Sequence, residues 1–152
     1  MSYHFVTGDF TPQKVFLPDK EYGLALDALV KGCADVLLTR GAGASLRILL
    51  GKRKVEPQPD WWFVGGRTRP GDTPAEGAAR NVKRELGLAI ETRRFVHVNT
   101  YSFVWNYRQQ APSTNGTAAT TPLNRSGAWF ITAPINKPPA EPPMAYRCSG
   151  DV

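Results

Sequence analysis

The sequence predicts an α/β fold, with a mixed β-sheet sandwiched between helices. Three observations carry that expectation. The stretch from Pro74 to Leu86 is bounded by start and stop signals for a helix. Short apolar runs separated by turn residues lie before and after it. A second helical pattern comes early, from Asp19 to Cys33. Strands on both sides of one central helix, with another helix ahead of them, suggest a sheet covered on both faces. The 152 residues form one domain's length, 1–152. That is enough to bury a core without disulfide or metal staples.

The elements follow in order. Residues 1–17 carry no sustained period and end at Pro18. Leu24, Ala25, Ala28 and Leu29 stand at helical spacing, and Lys31-Gly32 looks like the stop. Ala34 to Thr39 is a short apolar run. The turn residues Arg40 to Ser45 follow, and Leu46 to Arg53 is the returning strand of a hairpin. After a polar loop comes a compact aromatic strand, Trp61 to Val64, and then a loop opening with Gly65-Gly66-Arg67. Thr73 is the N-cap of the central helix, Pro74 its first residue, and Glu76 completes a T-x-x-E capping box. Gly87 is its natural end. Glu91 to Tyr107 alternates as one or two strands, Gln109 to Arg125 is a polar loop, and Gly127 to Thr132 is a last strand. The tail 134–152 is rich in proline (Pro134, Pro138, Pro139, Pro142, Pro143) and is expected to pack loosely.

Composition narrows the function classes. The net charge of +6 favours anionic partners such as nucleotides, sugar diphosphates or RNA, although a solvated basic surface explains it equally. The two cysteines, Cys33 and Cys148, form no C-x-x-C pair, which argues against a disulfide framework or a zinc site. No apolar run approaches membrane-spanning length and the first residues lack a signal-peptide pattern, so a cytoplasmic protein without membrane partners is expected.

The chemistry concentrates around the diglycine. Adjacent glycines let a backbone approach phosphate or present a carbonyl to a metal, and a helix N-terminus behind them adds partial positive charge. Lys52, Arg53 and Lys54 precede this loop, Arg67 and Arg69 lie in it, and Arg80 and Arg84 follow on the helix. A diphosphate suits such surroundings. The plainer alternatives are a charge cluster in solvent for residues 52–54, packing for Trp61, Trp62 and Phe63, and an i, i+4 pair of Arg80 with Glu76.

Spacing adds more. Gly66, Asp72, Arg80, Asn81, Val82, Arg84, Glu85, Gly87 and Leu88 stand where the pattern G-x5-E-x7-R-E-U-x-E-E-x-G-U (U apolar) specifies a residue. That is the Nudix box, and the chain resembles the Nudix hydrolase superfamily most clearly over residues 34–107. The resemblance implies the Nudix fold. Typical members hold magnesium with several helix glutamates, and the ions bridge substrate phosphates. Here Asn81 and Arg84 replace two of those glutamates, and Glu85 remains.

The thinned box is similar to that of the GDP-mannose mannosyl hydrolases, as are Leu49 to Arg53, Trp62 to Arg67 and Glu85 to Leu88. By that resemblance the Gly65 carbonyl and Glu85 hold one magnesium ion, with manganese as a substitute. Arg53 and Arg67 clamp the diphosphate, and Arg80 steadies the box. The charge of Arg84, apart from the resemblance, disfavours a second cation, and Arg84 could instead contact the substrate phosphates directly. Arg67, Arg80 and Glu85 form the catalytic set. The family's late Gln-His pair falls on Pro142 and Pro143, which cannot serve as a base, and His97 is a weak substitute. The implied function is magnesium-dependent hydrolysis of a nucleoside diphosphate linked to another group, with a nucleotide sugar favoured and a homodimer open. The rival is a catalytically impaired domain that binds a nucleotide, RNA or protein. Hydrolysis at phosphorus rather than at the sugar carbon is a third alternative.

Overall fold

The computed structural model describes residues 4–11, 13, 15–54, 60–105, 124–134 and 146–148. The first helix, α1 (Asp19–Ala28), starts where Pro18 leaves an extended backbone and the Tyr22 N–H donates to the Pro18 carbonyl at 2.8 Å. It is shorter than the expected 19–33. Leu29 is extended (φ −127°, ψ 145°), and Lys31 to Cys33 belong to the first strand instead. Strand pairing gives these residues hydrogen bonds that a helix continued to Cys33 would surrender.

The strands are β1 (Lys31–Arg40), β2 (Arg47–Lys52), β3 (Trp61–Trp62), β4 (Val64–Arg67), β5 (Val96–Trp105), β6 (Asn124–Pro134) and β7 (Tyr146–Cys148). They form a sheet of order β3-β2-β1-β6-β5, with β4 on β1 and β7 on β2. β1 and β6 are parallel, whereas the other pairs are antiparallel, so the sheet is mixed as expected. The hairpin places Leu38 opposite Leu49.

Two segments differ from what their local sequence suggests. The aromatic strand is split. Trp61 and Trp62 pair with Lys52 and Gly51, while Val64 to Arg67 pair with β1. Gly65-Gly66-Arg67 is therefore strand, not loop. The tail is not wholly loose either, because Tyr146 to Cys148 pair with Gly51 to Leu49. The expected polar loop 109–125 lies outside the described residues except for Asn124 and Arg125, which open β6.

The second helix, α2 (Pro74–Leu86), is capped as expected. The Thr73 hydroxyl accepts from the Glu76 N–H at 3.2 Å and the Glu76 carboxylate accepts from the Thr73 N–H at 2.8 Å. Gly87 closes it in the left-handed region at φ 69°. Ala78, Val82 and Leu86 recur at helical spacing and pack on Ala34, Val36, Leu38, Leu49, Val64 and Phe95. Gly77 permits the close approach, since a Cβ there would lie 2.6 Å from Thr68 Cγ2. Side chains alternate along a strand, so Lys31, Cys33 and Asp35 face away from this core. Tyr22 of α1 lies on their side, against Arg67, which pairs with Cys33. The two helices thus cover opposite faces. Among the described residues no helix is long and apolar enough to cross a membrane.

Replacing Thr73 by Ala should remove one cap and destabilise the chain by about 1 kcal/mol. Urea unfolding should show a lower midpoint with an unchanged slope. Removal of residues 135–152 should also lower the thermal midpoint, because β2 would lose β7.

Candidate functional site

Three elements meet at the diglycine: β1 from one side, β4 itself, and the middle of α2. Register puts Gly65 opposite Asp35 and Gly66 opposite Ala34. A Cβ at Gly65 would stand 2.6 Å from Asp35 Cα and 2.7 Å from the Ala34 carbonyl, so only glycine fits. Gly66 has φ 147°, a conformation that also favours glycine. Asn81, fully buried on α2, donates from Nδ2 to the Gly66 carbonyl at 2.8 Å and to the Ala34 carbonyl at 3.4 Å. Its amide stitches the helix to two strands.

Arg84, one turn further, spreads its guanidinium over the same point. Nη1 donates to Asn81 Oδ1 at 2.9 Å. Nη2 donates to the Gly65 carbonyl at 3.2 Å and to Glu85 Oε1 at 2.6 Å. The two groups expected to share a metal, the Gly65 carbonyl and Glu85, are therefore brought together, with Arg84 between them. Arg80 does not pair with Glu76, whose carboxylate is taken by the cap. It pairs with Asp72 in the loop and reaches the Arg67 carbonyl at 3.5 Å. Burial alone would raise the Asp72 carboxyl, but the Arg69 N–H and the Arg80 guanidinium outweigh it and hold the group below its usual range. Arg80 thus ties the loop to the helix.

Asp35 lies within the short apolar run Ala34 to Thr39. It is only 6% exposed. Burial is the main reason its carboxyl is pushed up to about 7. The negative charge of Glu85 adds to this, while Arg53 and the Gly66 N–H oppose it. Asp35, Glu85 and Arg53 therefore share one electrostatic neighbourhood. A lone acid inside an apolar strand was the available signal, and its register against the diglycine gave that signal meaning.

Arg67 stands apart from this cluster. Its guanidinium lies over the Tyr22 ring, 4.6 Å from the centroid, beside a cavity of about 610 Å³ that Lys31, Arg69 and Leu26 also line. Cys33, on the same face, has its thiol pushed up to about 11 by burial first and by Asp35 second, which leaves it unreactive. His97 is not at the site. It is in register with Ile131, Val36 and Val64, three strand spacings, or roughly 14 Å, across the sheet from β4. Its Nε2 lies 3.0 Å from Thr100 Oγ1. Trp62 packs edge-on against Phe63 and Phe103, both at 5.5 Å, as the packing alternative expects. Pro142, Pro143 and Tyr107 lie outside the described residues.

The donors suit a single divalent ion in kind. Glu85 and Asp35 supply carboxylates, Gly65 supplies a carbonyl, and magnesium often takes one or two carboxylates with substrate phosphate and water. The Asn81 amide is already used. Among the described residues no group of three or more His, Cys, Asp or Glu side chains could hold a metal.

Comparisons with known proteins agree with this architecture. Residues 31–136 match the family model described as NUDIX domain. The fold is similar to a MutT/nudix family protein from Enterococcus faecalis (TM-score 0.55, 16% identity, covering 79% of this chain and 43% of that one). It is also similar to a MutT NUDIX hydrolase from Burkholderia pseudomallei (0.54, 20%, 79% and 82%). A third likeness is to the NUDIX domain of Shewanella oneidensis NrtR complexed with ADP ribose (0.53, 12%, 79% and 72%). At these identities the likeness establishes fold. A curated octanoyltransferase from Myxococcus xanthus is 34% identical over 56 residues, which are 37% of this chain and 16% of that protein's length.

Substituting Gly65 by Ala should destabilise the protein by about 1–3 kcal/mol, since Asp35 Cα and the Ala34 carbonyl oxygen, which the new Cβ would strike, are backbone atoms that cannot swing aside. Asp35 makes a pH prediction for the metal-free protein. Its folded carboxyl titrates near 7 against 3.8 for the ordinary value. The folded state therefore holds the proton longer, and stability declines as pH rises from about 4 to 7. Asp35→Asn should raise the thermal midpoint at pH 8 in the presence of a chelator, and should have little effect at pH 4.

Proposed function

The chain belongs to the NUDIX family, and from that premise we propose that it hydrolyses a nucleoside diphosphate linked to another group, with a nucleotide sugar as the favoured substrate. The observation that carries this reading is the convergence of the Gly65 carbonyl and Glu85 at one point, beside Arg84 and Asp35. A cation and a diphosphate both have partners there. The thinned box, with Asn81 and Arg84 in place of two glutamates, resembles that of the GDP-mannose mannosyl hydrolases and favours one ion over several. The NrtR domain, which shares the fold, was crystallised with ADP ribose, a compound of the same general class.

Glu85 and the Gly65 carbonyl would hold a magnesium or manganese ion, with Asp35 near enough to add its charge. The ion would supply Lewis-acid stabilisation of the diphosphate as it leaves. The chain's own residues supply the rest. Arg53 faces the same neighbourhood and would clamp the phosphates there; guanidinium forks match phosphate oxygens in pairs. Arg67, apart from this point, over the Tyr22 ring, marks the entrance to the neighbouring cavity, where it can meet the remaining part of the ligand together with Lys31 and Arg69. Arg80 keeps the loop in place through Asp72, so that the backbone carbonyls stay aimed. Arg53, with Arg84 beside it, and one ion can neutralise a departing diphosphate. Attack at the sugar carbon then demands fewer metal ligands than activation of water against phosphorus.

A second reading has its own observation. Asn81 has spent its amide on the Gly66 and Ala34 carbonyls, and Arg84 already neutralises Glu85. A site balanced in this way also suits a domain that binds a nucleotide without cleaving it. The short match to the octanoyltransferase offers no further guidance, since it spans a small part of that protein.

A panel of nucleotide sugars with magnesium, scored separately for free sugar and for phosphate-containing products, tests the reading. Free sugar released with intact nucleoside diphosphate is the expected outcome. Glu85→Gln should lower turnover by at least roughly a hundredfold. Nucleotide binding without turnover across the panel would favour the binding domain.

A further inference from the structure

The geometry points to Arg84 as a tethered cation that occupies the metal position of the ligand-free chain, so that a divalent ion enters only when this guanidinium swings out. The inference rests on the reading of Glu85 and Gly65 as a cation site and says what competes for it. One nitrogen, Nη2, touches both expected metal donors, the Gly65 carbonyl at 3.2 Å and Glu85 Oε1 at 2.6 Å. The other, Nη1, is held by Asn81 Oδ1 at 2.9 Å. The seat is shaped for it. A Cβ on Gly66 would come within 3.1 Å of Nη2, so the diglycine leaves the space that the guanidinium fills.

Charge makes the occupancy exclusive. A divalent ion on Glu85 would stand within hydrogen-bonding distance of a full positive charge, and like charges that close repel strongly. The ion must also take from Arg84 the carboxylate and carbonyl that now satisfy it. Departure is sterically open, because the Arg84 side chain is 53% exposed while Glu85 is 21% exposed. A guanidinium leaving this seat needs another acceptor, and a diphosphate is the acceptor it matches best. Substrate arrival thereby draws Arg84 onto phosphate and clears the donors for the ion. Binding of the ion and the diphosphate is then coupled through one side chain.

Titration of the full chain with manganese alone, read by electron paramagnetic resonance of the free ion, tests this without nucleotide or turnover. Arg84→Gln should bind one manganese at least tenfold tighter than the unsubstituted protein. Arg84→Lys keeps a charge but offers one nitrogen in place of the two that now hold Asn81 on one side and Gly65 with Glu85 on the other, and should fall between the two; it serves if the Gln variant does not fold. Lys83→Gln removes a neighbouring exposed charge from the same helix and should change affinity by less than twofold. Manganese binding that is no tighter in either Arg84 variant would overturn the inference, as would an equal gain in Lys83→Gln. The hydrolase reading fails on other grounds, namely absent turnover in the nucleotide-sugar panel, so the two failures are distinguishable.

Discussion

The closeness of the Gly65–Gly66 backbone to β1 and to α2 governs the rest of the site. No side chain could be present at Gly65 without striking Asp35 and the Ala34 carbonyl. Because none is, β4 lies flush on β1 and turns its carbonyls toward the helix. Asn81 reaches across from α2 and binds the carbonyls of Gly66 and Ala34 together. A carbonyl buried without a partner is expensive, so this amide does structural work that a carboxylate in the same position could not do. The residue that stands where the box pattern has glutamate is thus the link between helix and strands.

Electrostatics follows from that packing. Asp35 is buried by the close strands, and Glu85 lies near enough to raise its carboxyl further. Two acids and an inward carbonyl form a place where a cation is favoured. The chain answers with an arginine from its own helix, one residue before Glu85. On the other side of the loop, Arg80 and Asp72 form a second pair that holds the loop against α2. The site thus has two internal ion pairs with different duties. One secures the frame, and the other sits where chemistry is proposed.

The core supports this arrangement from behind. Ala34 and Val36 face the core under α2, while Cys33 and Asp35 point to the other side of the strand, so a single strand serves the packed core and the polar site at once. Small residues at Ala34, Gly77 and Ala78 let helix and strand approach closely. That closeness carries Asn81 and Arg84 into reach of the diglycine.

The sequence by itself determined the central helix, its caps, the hairpin, the mixed α/β class and the family. These depend on local signals: Thr73 and Glu76 three residues apart, a left-handed Gly87, and box residues at set spacing. Only the tertiary structure decided the end of α1, the split of the aromatic strand and the strand character of Gly65 to Arg67. Each depends on which edge of β1 is free to pair, and no local pattern records that. The same reason hid Asp35. Its burial and its two charged neighbours come from residues 18 and more positions away, joined only when β1 meets β4 and α2. Arg84 was legible as a missing glutamate, but its position between Gly65 and Glu85 depends on a helix and a strand meeting at a distance that spacing alone does not set.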